Sequence, residues 1–73
     1  MERLTTRFLV RDAQGVELTL LEFQNFREFR TARGMKLMPG TKRFMLDSGE
    51  EVTKADDKHF VLASTGEPLL RIT

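Results

Sequence analysis

Turn-forming clusters interrupt this chain at short intervals, and that spacing leaves room for little other than short β-strands. They are Asp12-Ala13-Gln14-Gly15, Met38-Pro39-Gly40, Asp47-Ser48-Gly49-Glu50, Asp56-Asp57-Lys58 and Ser64-Thr65-Gly66-Glu67. Apart from the longer stretch 16–37, the segments between them are about four to eight residues, the spacing of a small antiparallel β domain. The first segment sets Leu4, Thr6, Phe8 and Val10 on one face against Thr5, Arg7, Leu9 and Arg11 on the other. Beyond Gly15, Val16, Leu18 and Leu20 continue the alternation against Glu17 and Thr19. Period-two alternation on both sides of a turn predicts a hairpin, with Gly15 supplying the positive φ that closes it.

Further strands are expected over 42–46, 59–63 and 68–72, with a short one around Val52. Inward positions are then Phe8, Val10, Val16, Leu18, Leu20, Phe44, Leu46, Val52, Phe60, Leu62, Leu70 and Ile72, with Phe23 and Phe26 closing one end. Residues 25–33 break the period of two. Phe23, Phe26 and Phe29 recur every three residues, and Asn25 with Glu28 makes a capping box ahead of Gly34 as a C-cap. These signals predict a short helix over 26–33; the competing reading is a continued long strand with a bulge near Gln24-Asn25. The expected fold is therefore mainly β, at most α+β. It is a single antiparallel sheet or an open SH3-like or OB-like barrel of five to six short strands, with one short helix, in a single domain of residues 1–73.

Composition enters as a set of exclusions. The chain has 73 residues, no Cys and one His, so disulfides and a structural zinc site are not available to it. A hydrophobic share of 40% beside 32% charge suits a globular domain. No apolar run approaches the roughly 20 residues that span a bilayer, and the first residues, Met-Glu-Arg-Leu-Thr-Thr, lack the apolar stretch of a signal peptide. A cytoplasmic location is expected, with no membrane partner and no cofactor.

Catalysis finds little to work with. The lone His59 stands at a strand start beside Asp57 and Lys58, a place where a solvated imidazole is the usual occupant. Asp56-Asp57 and Glu50-Glu51 are adjacent pairs, whose members point to opposite faces of a strand. Asp47-Ser48-Gly49-Glu50-Glu51 lacks the alternating acids of a divalent-ion loop. Ser48 and Ser64 lie in turns without a G-x-S-x-G frame. An enzyme and a small-molecule substrate are not expected.

Charge is distributed unevenly. Residues 24–46 carry Arg27, Arg30, Arg33, Lys36, Lys42 and Arg43 against Glu28 alone, whereas residues 47–73 carry six acids against three cations. An overall charge of +1 thus hides a dipolar arrangement able to orient a partner. On a helix, Arg27, Arg30 and Arg33 form one drifting stripe. Met35, Leu37 and Met38 lie in the same stretch, and adaptable Met beside Arg is typical of interface hot spots. Two readings of these Met residues differ in exposure, since a binding patch leaves at least one of them mostly in solvent. The expected partner-binding set is Arg27, Arg30, Arg33, Met35, Lys36, Met38, Lys42 and Arg43. The acids of the last third, the lack of Tyr and Trp, and a pI near 8.2 weigh towards a protein partner with an acidic or mixed apolar surface; nucleic acid is the alternative.

The second half resembles a group of small bacterial proteins without an assigned activity. The matching residues are Pro39-Gly40-Thr41-Lys42-Arg43-Phe44, Asp47-Ser48-Gly49 with Val52, Asp56-Asp57 with Phe60, and Thr65-Gly66-Glu67 with Leu69 and Arg71. The resemblance spans 39–71, consists mostly of turn and core residues, and implies a β-rich fold and no catalytic residues. The functional expectation is a small non-enzymatic regulator, bacterial or from a bacteriophage, that binds a larger bacterial assembly. The transcription machinery is the specific target expected, with RNA polymerase inhibited or modulated. The alternative is a small β-barrel that binds nucleic acid.

Overall fold

The computed structural model describes residues 1–73, in which six antiparallel strands close into a barrel. They are β1 (Glu2–Arg11), β2 (Glu17–Thr31), β3 (Gly34–Leu46), β4 (Glu51–Lys54), β5 (His59–Leu62) and β6 (Pro68–Arg71). Each strand pairs with its neighbour in sequence, and β6 returns to β1 through Val10↔Arg71 and Arg11↔Leu70. Such an up-and-down path needs only hairpin connections, four of which the turn clusters provide, while Ala32-Arg33 joins β2 to β3. In the first, Asp12 Oδ1 accepts from the N–H of Gln14 at 2.9 Å and of Val16 at 2.8 Å, while Gly15 adopts φ +83°. Closure gives β6 a partner on both sides, so the last strand is not a free sheet edge.

The core sits inside the closed end of the barrel and draws on every strand. It comprises Phe8 and Val10 of β1, Leu20 of β2, Phe44 and Leu46 of β3, Val52 of β4, Phe60 and Leu62 of β5, and Leu69 of β6. Phe60 is its centre, with ring centroids 5.4 Å from Phe8 and 5.3 Å from Phe44. Each such side chain contributes roughly 1.5–3 kcal/mol of burial. Three expectations about the core are corrected. Leu69 replaces Leu70 as the inward residue of β6, because it pairs with the inward Phe60 and cross-strand partners share a face. Val16 lies exposed in the turn rather than in the strand. Ile72, beyond the end of β6, is only half-buried.

The helix expected over 26–33 is replaced by strand, and the Met38-Pro39-Gly40 turn by strand as well. From Phe26↔Pro39 to Thr31↔Gly34 the two chains pair residue for residue. This pairing engages both strands along their length, and the local capping signal of Asn25 and Glu28 yields to it. The register shifts between Gln24 and Phe26, the place where the competing reading puts a bulge. Pro39 is tolerated because this part of β3 is an outer strand with no further neighbour.

Only part of the two longest strands belongs to the barrel. β1 reaches Asn25 of β2, and β4 meets β3 only at Phe44 and Met45, so residues beyond these project as a two-stranded ribbon. Six paired positions extend it by about 20 Å at 3.3–3.4 Å per residue. The molecule accordingly measures 54 × 22 × 21 Å.

Candidate functional site

The projecting ribbon, here the arm, is built by residues 26–39 around the two-residue turn Ala32-Arg33. Gly34 closes that turn in the left-handed region, φ +120°, and Thr31 Oγ1 donates to the Gly34 carbonyl at 2.8 Å. At the neck, Gln24 is the one buried polar side chain. Its amide donates to the Gly40 carbonyl at 2.7 Å and to the Asn25 carbonyl at 3.3 Å, tying the bulged segment of β3 to β2. Phe26, half-buried, is braced beneath the Arg3 guanidinium at 5.9 Å.

From Arg27 to Arg43 no residue is buried. Phe29, Met35, Leu37 and Met38 are 43%, 58%, 47% and 53% exposed, so half of the eight exposed large hydrophobic residues of the chain lie on the arm. Met35 and Met38 thus meet the exposure expected of a binding patch. Arg27, Arg30, Arg33 and Lys36 form no ion pair within 4.0 Å. Lys42 and Arg43, expected in the same set, belong instead to the barrel wall. Arg43 makes a two-pronged bond to Glu2, at 2.8 and 3.1 Å, lies 3.8 Å from Glu51, and covers the Phe23 ring at 5.4 Å. That bond holds the Glu2 carboxyl below its ordinary range and raises the Arg43 guanidinium. Lys42 Nζ stands 3.8 Å from Glu22. The eight expected residues therefore divide into six on the arm and two in structural ion pairs.

Strand geometry also undoes the single arginine stripe. Side chains alternate along β2 and cross-strand partners share a face, so Arg27, Phe29, Lys36 and Met38 lie on one face of the arm. The opposite face carries Phe26, Glu28, Arg30, Met35, Leu37 and Pro39, and Arg33 occupies the tip. The first face has two cations and no acid. A shallow hollow of about 310 Å³ lies on it, lined in part by Arg27, Phe29 and Met38. Phe29 and Leu37 are the additions to the expected set; their alternation with cations was the available signal.

The acids are sorted along the long axis. In an up-and-down barrel the turns after β1, β3 and β5 share one end, and the arm leaves from the other. Asp12, Glu17, Asp47, Glu50 and Glu67 lie in or beside the turns at the end away from the arm, where Arg11 is bonded to Glu17 at 3.3 Å, while Glu51 on the wall faces Arg43 at 3.8 Å. Of the remaining acids, Glu2 and Glu22 are paired with Arg43 and Lys42. Asp57 lies 3.4 Å from Lys54, and Asp56 accepts from His59 Nδ1 at 2.8 Å. Glu28 alone is on the arm. Of the six acids in residues 47–73, Asp47, Glu50 and Glu67 lie at the far end, Glu51 faces Arg43, and Asp56 and Asp57 occupy the β4–β5 turn at the arm's end of the barrel.

His59 serves the β4–β5 turn. Asp56 Oδ1 accepts from the N–H of Lys58 at 2.9 Å and of His59 at 2.8 Å, and these bonds, the Lys58 one foremost, hold its carboxyl below the usual range. No group of three His, Cys, Asp or Glu side chains is placed to hold a metal ion. The widest surface hollow, about 630 Å³, is lined by Asp57, Lys58 and Leu70–Thr73 and contains no His. The structure has no helix long and apolar enough to cross a membrane. Compared with family models, with curated proteins and with solved structures, the chain finds no match.

Proposed function

We propose that this chain is a non-enzymatic interaction protein that engages a larger bacterial assembly through its arm. The carrying observation is the arm itself: a projecting ribbon with four cations free of ion pairs and four exposed large apolar side chains. Side chains left in solvent do nothing for the core, and apolar groups interleaved with Arg are what partner surfaces recruit. The matching surface must be acidic and partly apolar. The resemblance of residues 39–71 to small bacterial proteins supports a bacterial setting. Within it we assign the arm to the transcription machinery, with RNA polymerase modulated by occupancy, on the analogy of other compact regulators that act this way.

The test is capture from a bacterial lysate, with the bound species identified, using the intact chain and the variant Arg27→Glu/Arg30→Glu/Arg33→Glu. Intact protein should retain subunits of the transcription machinery and the variant should lose them, with circular dichroism unchanged. Equal capture by both would remove the arm from the mechanism.

A further inference from the structure

Resting on the arm as the binding element of that assembly, we infer that the acidic surface it fits there is the B-form DNA duplex, met by the face of Arg27, Phe29, Lys36 and Met38 with Arg33 at the tip. Charge is segregated twice in favour of this. Along the molecule, five of the eleven acids lie at the end remote from the arm, and at the arm's end Asp56 and Asp57 are held by His59 and Lys54. Across the arm, its single acid, Glu28, is on the other face from Arg27 and Lys36. On that face of the arm a phosphate backbone meets cations alone.

Shape agrees with charge. The major groove of B-DNA is about 12 Å wide and admits a two-stranded β-ribbon. Strands about 4.8 Å apart with their side chains match that width. Arg27 and Lys36 belong to opposite strands, Arg27 paired with Met38 and Lys36 with Phe29, so the two cations lie on the two sides of the ribbon, towards the two phosphate walls. Phe29 and Met38 occupy the same face and supply apolar contact to thymine methyl groups on the groove floor. The deep, narrow major groove of A-form RNA would not admit the ribbon.

The experiment is fluorescence anisotropy of a labelled 20-bp DNA duplex titrated with the full chain at several salt concentrations. Three phosphate contacts predict a log–log salt slope of about −2.7, an affinity loss of about 40-fold between 50 and 200 mM salt. Arg27→Gln/Lys36→Gln should lower the slope by about 2. Arg30→Gln, on the other face, should leave it within about 0.5, and an RNA duplex of equal length should bind at least tenfold more weakly. Absence of DNA binding at 50 mM salt, or equal losses from the two faces, overturns the proposal. The arm reading fails separately. If nuclease-treated lysate still yields an identified protein that Arg27→Gln/Lys36→Gln no longer captures, the arm stands and its partner is a protein; if capture persists in that variant, the arm reading falls as well.

Discussion

The barrel and the arm share strands β2 and β3, yet the same chain behaves differently on either side of the Gln24 neck. Within the barrel, burial alternates as the pleat requires: Leu20 and Gln24 turn inward while their neighbours are half-exposed. Beyond it nothing is buried, although Phe29, Leu37, Met35 and Met38 are as apolar as the core. A ribbon of two strands has no inside, and cross-strand pairs worth roughly 0.2–1 kcal/mol each are its main support. Identical chemistry therefore stabilises the fold in one region and is left in solvent in the other.

The comparison is broken most directly by truncating one apolar residue on each side. Phe60→Ala, at the centre of the ring cluster, should cost about 3–5 kcal/mol, a large share of the stability of so small a domain. Phe29→Ala should change stability by no more than about 0.5 kcal/mol, as expected of an exposed position. Urea unfolding of both variants measures this. A loss above 2 kcal/mol for Phe29→Ala would mean that the arm is part of the core's cooperative unit. Leu69→Ala and Leu70→Ala sharpen the same contrast within β6, since only the former should cost about 2–5 kcal/mol.

The neck sets how tightly the two regions are joined. Gln24→Leu removes the donor to the Gly40 carbonyl and leaves that group short of a partner, which costs about 1–3 kcal/mol. Amide exchange should accelerate over residues 26–42 more than in the barrel, because opening there requires no core exposure. Uniform acceleration would show that the arm and barrel unfold as one. Gly34→Ala is expected to have a smaller, local effect, about 1–2 kcal/mol confined to the tip, since Ala must adopt φ near +120°.

The barrel was more legible in the sequence than the arm, for physical reasons. Phe8 and Val10, Phe44 and Leu46, and Phe60 and Leu62 stand two apart because one face of each strand is buried, and burial writes period two into a sequence even where Leu9, Met45 and Val61 between them are apolar. The arm has both faces in solvent, so nothing enforces that period; Phe23, Phe26 and Phe29 could mimic a helical spacing, and the Asn25–Glu28 box was free to suggest a cap. Leu69-Leu70 offered two adjacent candidates, and only pairing with Phe60 chose between them. Six of the eight residues expected to meet a partner lie together on the arm, a grouping already visible in the run of cations along residues 27–36. The division from Lys42 and Arg43 was not readable, since it depends on Glu2 and Glu22, twenty or more residues away in sequence.

The smallest expected effect concerns acid stability, and it belongs to the barrel and neck rather than the arm. The carboxyls of Asp56 and Glu2 are held below their ordinary ranges, by the turn N–H groups and His59 in one case and by Arg43 in the other. Unfolded, each binds a proton near the reference values of about 3.9 and 4.3. Between those values and the lower folded ones the unfolded chain carries more protons, so stability rises with pH across that interval. The contribution is fully present above the ordinary carboxylate range and is lost as pH falls through the folded values. Both groups are open to solvent, so the effect is screened and small. Asp56→Asn should therefore flatten the pH dependence of the urea midpoint between about pH 2 and 5 while leaving amide exchange of residues 26–39 unchanged. A steeper dependence, or a response in the arm, would show that the β4–β5 turn is coupled to the ribbon, which leaves the barrel at the same end.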